Sequence, residues 1–276
     1  MRSKSKDGVT TRPVVRSGEP KGPSGDRVAI EEPLEIRVAG DVLCVTMRTP
    51  GHDRELALGF LFAEGIIRSV DDVGSVAHCG APGDESFGNV IEVLPGAGVA
   101  LAPERVAGAR RGTLTTSSCG VCGRASIEDL TARCAPLRDD TRIEAAALAP
   151  WFASMREEQR IFAETGGVHA AALFDPSSGH ATVREDIGRH NAVDKVLGAL
   201  VLSRALPARG CVLAVSGRAS FEIVQKATAA GIPIVASVSA ASSLAIDLAI
   251  AMNVTLASFV RAGAVAVYAH PERLEF

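Results

Sequence analysis

Aromatic side chains are scarce in this chain: one tryptophan, one tyrosine and nine phenylalanines among 276 residues. A chain of this length buries roughly three-quarters of its unfolded surface when compact, in one large domain or two unequal ones. With 47% hydrophobic residues and so few aromatics, the core has to be built from Ala, Val, Leu and Ile. An excess of charge is also missing. A net charge of −3 gives the whole protein no basis for binding nucleic acid or an anionic membrane, so any anion recognition must be local. No apolar run is long enough to span a membrane and no signal peptide is recognisable, which points to the cytoplasm. Of six cysteines, Cys44, Cys79, Cys134 and Cys211 stand alone in apolar or loop stretches, poor material for a secreted disulfide framework.

The remaining two thiols form one motif, Cys119-Gly120-Val121-Cys122-Gly123, behind the hydroxyl run Thr115-Thr116-Ser117-Ser118. Ser126 with Asp129 three residues on resembles a capping box ahead of Ile127 and Leu130, which predicts a helix from Ser126 to about Ala135. The cysteines then lie on a loop that feeds a helix N-terminus, close to Arg124. Dipole and cation both favour thiolate over thiol, and the glycines let the loop approach another molecule closely. Zinc would need two further ligands, and no second Cys-x-x-Cys or paired histidine is present, although His169 and His190 could complete a site from afar. A thioredoxin-type redox pair and a persulfide-bearing sulfur carrier are the other two chemistries open to such a motif.

Residues 1–27 carry seven Lys/Arg and three Asp/Glu among Gly, Pro and Ser, which reads as a disordered tail. Residues 28–110 read as a smaller α+β unit. It holds a hairpin, Leu34–Val38 and Val42–Met47 about a Gly40-Asp41 turn, then a helix from Leu56 to Gly65 and a strand at Asn89–Leu94. Residues 111–276 read as an α/β layered domain that also carries the thiol loop. One helical face is expected over 151–162, with Gln159 breaking the pattern, followed by strands at Val168–Phe174 and His180–Asp186. Asn191 with Asp194 is expected to cap the next helix. Strands at Cys211–Val215, Ile234–Val238 and Val254–Val260 alternate with helices, which argues for parallel strands with right-handed crossovers. A last strand runs from Ala264 to Tyr268.

Three loops in this domain suit an anionic ligand. Arg184 to Asn191 offers guanidinium groups, including Arg189, and the imidazole of His190. Ser216-Gly217-Arg218-Ala219-Ser220 follows a strand and opens a helix, a natural place for a phosphate, though without Walker spacing. Ser239-Ala240-Ala241-Ser242-Ser243 repeats the device. Each alone reads as an ordinary N-cap with a solvated arginine; three on one domain favour a ligand rich in phosphate, such as a diphosphate-containing cofactor. His169, inside an apolar strand, reads as a core histidine. A zinc deaminase would pair His-Ala-Glu with Pro-Cys-x-x-Cys, but here Ala171 follows His169-Ala170, Ser118 precedes Cys119, and the order is reversed.

Taken together, these segments resemble the formate dehydrogenase accessory sulfurtransferase family, FdhD. The matching runs are Glu32–Ile36, Arg48–Gly51, Ser118–Gly123, Thr165–His169, Glu185–Lys195, Ser216–Arg218, Ser237–Ala240, Phe259–Arg261 and Tyr268–Pro271. The likeness spans about residue 28 to the end. It implies a cytidine-deaminase-like main domain with a smaller N-terminal unit, and a cytoplasmic sulfurtransferase with no permanent cofactor or metal. Its expected partners are a cysteine desulfurase, which supplies sulfur, and formate dehydrogenase, whose molybdenum (or tungsten) bis(molybdopterin guanine dinucleotide) cofactor receives it as the bound substrate. A homodimer is the family expectation. Carried over, Cys119 bears the persulfide and Cys122 assists. Phe259, Val260, Arg261, Ala262, Gly263 and Ala264 match the cofactor-contacting segment, alongside Arg189, His190, Ser216, Gly217 and Arg218 from the loops above. The competing reading is a binding protein that only escorts the cofactor, which has no need of paired thiols between glycines.

Overall fold

The structure is a computed structural model that describes residues 8–18, 24–80, 87–99, 101, 134–261 and 263–276. Strands β3 (Glu32–Val38) and β4 (Asp41–Arg48) form the expected hairpin. Its two-residue loop is Ala39-Gly40, with φ of 51° and 87°. Two left-handed residues in succession are what a primed turn between right-twisted strands requires. With β5 (Val73–His78) and β6 (Val90–Pro95) they make a four-stranded sheet in the order β4-β3-β6-β5, where β3 and β6 run parallel. Helix α1 (Asp53–Ala63) covers it, burying Leu56, Leu58 and Leu61 against Leu34, Ile36 and Ile91.

The larger part is a six-stranded mixed sheet. Helices α2 (Leu148–Glu158) and α3 (Arg160–Thr165) precede the hairpin β8 (His169–Asp175) and β9 (His180–Asp186), with the short β7 (Ile143–Glu144) before them. Then follow α4 (Arg189–Leu202), β10 (Val212–Val215), α5 (Phe221–Ala229), β11 (Ile234–Ser237), α6 (Ser243–Met252), β12 (Thr255–Arg261) and β13 (Ala264–Ala269). A last short strand, β14 (Leu274–Glu275), pairs with β7. The sheet order is β13-β12-β11-β10-β8-β9. As expected, β10, β11 and β12 are mutually parallel; β8, β9 and β13 are antiparallel to their neighbours. Side chains alternate across it. Leu213, Val215, Val235 and Leu256 face α4, α5 and α6, whereas Val212, Ala214, Ile234 and Ala236 face α2. Trp151 stacks on Phe174 on that second side, with ring centroids 5.4 Å apart.

Helix α4 joins the two units. It packs against α1 so closely that a Cβ on Gly59 would lie 1.8 Å from the Asp194 carbonyl oxygen, and one on Gly198 1.8 Å from that of Glu55. Arg184 on β9 also donates to Glu55 on α1, through Nη2 at 2.8 Å.

Four expectations are altered. The stretch 1–27, expected as a disordered tail, carries β1 (Val9–Val14) and the start of β2 (Ser24–Ala29), which pair as a hairpin. Val9 is buried, Gly8 accepts from the Ile30 N–H, and Arg27 reaches Glu164 on α3. Composition missed it because its anchors lie far along the chain. The helical run over 151–162 is two helices. Glu185 accepts hydrogen bonds from the Ile161 and Phe162 N–H groups and so starts α3 afresh, while Gln159 is buried between the two helices. Helix α4 begins at Arg189 with Gly188 as its N-cap, not at Asn191. Asn191 instead donates to the Met47 carbonyl and to Asp186, and Asp194 is buried against Lys226. The hairpin turn in 38–42 sits one residue earlier than expected. The division at 110/111 and the helix expected from Ser126 fall within 102–133, outside the described residues.

Candidate functional site

The parallel strands β10, β11 and β12 end on the same edge, and the loops leaving them are laced together by backbone bonds. The Val238 N–H donates to the Val215 carbonyl (3.2 Å), Ala219 to Ala240 (3.1 Å), Ser242 to Ala219 (3.0 Å) and Phe259 to Ser239 (3.3 Å). Antiparallel β8 starts at this edge: the Ser216 N–H donates to the Ala170 carbonyl, and Ser216 Oγ accepts from the Ala170 N–H at 2.9 Å. Strand ends meeting helix starts on an open α/β edge make a natural ligand crevice.

The fourth loop arrives through a buried ion pair. Lys195 Nζ lies 2.7 Å from Asp186 Oδ2, with both residues almost fully buried. Lys195 also donates to the carbonyls of Thr49 and Glu185. Asp186 accepts from the N–H groups of Thr49 and Gly188 and from Asn191. Charge taken out of water is tolerated here because each carboxylate oxygen and the ammonium have several partners. The result fixes the 187–191 turn and the Arg48–Gly51 connection side by side. Arg48 is itself buried, donating to both Asp53 oxygens at 3.0 and 3.1 Å.

Of the sequence-derived candidates, Arg189, His190, Ser216 and Gly217 lie at this edge, on adjoining loops. A Cβ on Gly217 would sit 3.5 Å from His169 Nδ1 and 3.6 Å from Arg189 Cδ. His190 Nε2 is 3.2 Å from Ser220 Oγ, and its Nδ1 is 3.1 Å from Glu222 Oε2. Arg218 is exposed. Ser216 is spent on the β8 backbone, and Ser242 is an ordinary N-cap for α6, accepting from the Ala245 N–H. Phe259 stands at a bulge in β12 with φ of 55° and 40% exposure, whereas Val260 beside it is buried. Beyond it Arg261 and Ala264 are exposed at the hairpin tip, and a Cβ on Gly263 would meet nothing within 4 Å. Cys119, Cys122 and Ala262 lie outside the described residues.

His169, which the sequence reads as a core histidine, lies at this edge. It is half-buried, and its pKa is lowered by burial and by the Arg189 guanidinium, which favours the neutral ring. Glu222 was missed, since its only signal was a carboxylate in the first turn of a helix. Among the described residues no group of three or more His, Cys, Asp or Glu side chains is placed to hold a metal ion.

The model of the FdhD/NarQ family matches residues 29–275. The chain belongs to the FdhD/NarQ family. It is 52% identical over 272 residues to the sulfur carrier protein FdhD of Anaeromyxobacter dehalogenans (strain 2CP-1), covering 96% of this chain and 93% of that one. To the sulfur carrier protein FdhD of Mycobacterium tuberculosis (strain H37Rv) it is 45% identical over 282 residues, covering 99% and 96%. A crystal structure from Desulfotalea psychrophila, described as a candidate formate dehydrogenase accessory protein, superposes with a TM-score of 0.73 at 26% identity. It covers 97% of this chain and 98% of that one. The FdhD/NarQ match contains the Cys-x-x-Cys motif and all four loops of the crevice, and it excludes most of the β1–β2 hairpin.

Proposed function

We propose that this chain is a sulfur carrier that serves formate dehydrogenase maturation. The observation that carries the reading is membership of the FdhD/NarQ family over residues 29–275, with relatives at 45–52% identity named sulfur carrier protein FdhD. The chemistry is assigned to Cys119 and Cys122. The Cys119 thiolate attacks the terminal sulfur of a cysteine desulfurase persulfide; the donor S–S bond breaks, the donor thiolate leaves, and Cys119 keeps the persulfide. Attack of the Cys122 thiolate on the inner sulfur then forms a Cys119–Cys122 disulfide and releases the outer sulfur as hydrosulfide. A thiol reductant afterwards restores the pair.

The receiving substrate in this reading is the molybdenum bis(molybdopterin guanine dinucleotide) cofactor, and the crevice edge suits its nucleotide tails. Phe259 offers an exposed aromatic face for a base, Arg261 a solvent-facing guanidinium for a phosphate, and Gly263 an open stretch of backbone beyond them at the hairpin tip. Arg189, His190, Gly217 and Arg218 line the neighbouring loops. The sheet with helices on both faces is assigned to the cytidine-deaminase-like layering, the protein to the cytoplasm, and its working form to a homodimer. Among the described residues no helix is long and apolar enough to cross a membrane.

The test is sulfur loading. After incubation with a cysteine desulfurase and cysteine, intact-protein mass spectrometry should show a gain of about 32 Da that maps to Cys119. The Cys119→Ala protein should show none, and Cys122→Ala should load but transfer poorly. Full loading of Cys119→Ala would remove the role from Cys119. Active formate dehydrogenase in cells that carry only Cys119→Ala would instead favour an escort that binds the cofactor without carrying sulfur.

A further inference from the structure

At the mouth of α5 three side chains form a hydrogen-bonded chain to which the sulfur reading, which gives His190 a part in cofactor binding, assigns no bond-making step. Glu222 Oε2 lies 3.1 Å from His190 Nδ1, and His190 Nε2 lies 3.2 Å from Ser220 Oγ. Ser220 is the N-cap residue of α5, yet its hydroxyl makes no capping bond and turns to the imidazole instead. An N-cap serine that forgoes its cap gives up helix stabilisation, so its turn toward His190 is a feature to explain. His190 and Glu222 are each 9% exposed, which holds their rotamers, while Ser220 is half-buried.

Nucleophile to base, and base to an orienting carboxylate, are the two contacts that define a serine triad, whatever the fold. The third requirement is a set of donors for the oxyanion. The amino end of the nine-residue α5 begins at Phe221, next to Ser220, and presents backbone N–H groups and the positive end of the helix dipole.

We propose that Ser220, His190 and Glu222 form a second catalytic site, a serine nucleophile that hydrolyses carboxylic esters. Ser220 Oγ bonds to the ester carbon as its proton passes to His190 Nε2. The ester C–O bond then breaks and the alcohol leaves with that proton. Water attacks the acyl-serine, giving its proton to His190, and the acid departs as Ser220 regains its hydrogen. Glu222 is a positioning residue that holds the imidazole. Cys119 takes no part, so this site and the sulfur reading can fail separately.

The experiment treats the full chain with a fluorophosphonate probe and with p-nitrophenyl acetate. Expected are a single adduct on Ser220, located by peptide mass spectrometry, and ester hydrolysis that falls by about 100-fold or more in Ser220→Ala. A second variant guards against a folding defect: the thiol of Ser220→Cys should react with iodoacetamide faster than it does when His190→Gln is added. Glu222→Gln should shift the pH–rate profile with the far-ultraviolet circular dichroism retained, and Glu222→Asp should recover part of the rate. No adduct at Ser220, or hydrolysis equal in Ser220→Ala and the unchanged protein, overturns the site. So does a Ser220→Cys thiol indifferent to His190. A Glu222→Gln protein with an unmoved profile overturns the positioning role.

Discussion

At the scale of single residues, the crevice is held by charges that the chain has taken out of water. Lys195 and Asp186 are buried to within 1% and 0% exposure, and between them they bind the backbone of residues 49, 185 and 188. Removing one member leaves the other buried without its counter-charge. Asp186→Ala is therefore expected to cost about 3–5 kcal/mol in urea denaturation. The double variant Asp186→Ala with Lys195→Met should cost less than the sum of its parts. Additive losses in that cycle would mean the pair is not coupled. None of this was legible locally. Lys195 appeared in the sequence only as one residue of a motif, because its partners are 9, 10 and 146 positions away in the chain.

At the scale of elements, the decisive packing is between α1 and α4. Gly59 and Gly198 let the two backbones approach until no Cβ fits, each missing atom lying 1.8 Å from the partner's carbonyl oxygen. Helix propensity alone favours alanine over glycine by about 1 kcal/mol. The steric clash is with backbone, which cannot rotate away, so overpacking of about 3 kcal/mol or more should dominate. Gly198→Ala is expected to lower the urea midpoint despite its better propensity, and a rise would show that the helices can separate at little cost. The elements themselves were mostly readable. Alternation and a glycine turn located the hairpin β3–β4, short apolar runs located β6 and β8 with β9 as its returning partner, and the strand–helix alternation after residue 210 located the parallel strands. Misreadings arose where a distant side chain ends or starts an element: Glu185 at α3, and Asp186 drawing Asn191 away from a capping role.

At the scale of the whole molecule, the two units are also joined by Arg184 of β9 and Glu55 of α1. Burial pushes the Glu55 carboxyl upward, but hydrogen bonds from Arg184 and His52 outweigh it and hold its pKa at about 2, below its ordinary 4.5. A carboxylate depressed in the folded state contributes stability above its unfolded pKa and loses it as pH falls through the folded value. Stability should therefore drop between about pH 4.5 and 2, and Glu55→Gln should flatten the urea midpoint across that window. An unchanged slope in Glu55→Gln would assign the acid loss to other carboxylates. By itself, the sequence determined the alternating strand pattern, the thiol pair and the family, because period and motif are properties of neighbours along a chain. Only the tertiary structure decided that His169, His190, Ser220 and Glu222 share one edge with the loops after β10 and β11. It alone placed the basic hairpin β1–β2 against the body of the protein. Those outcomes depend on contacts between residues far apart in sequence, whose closure cost is repaid only when the whole core forms.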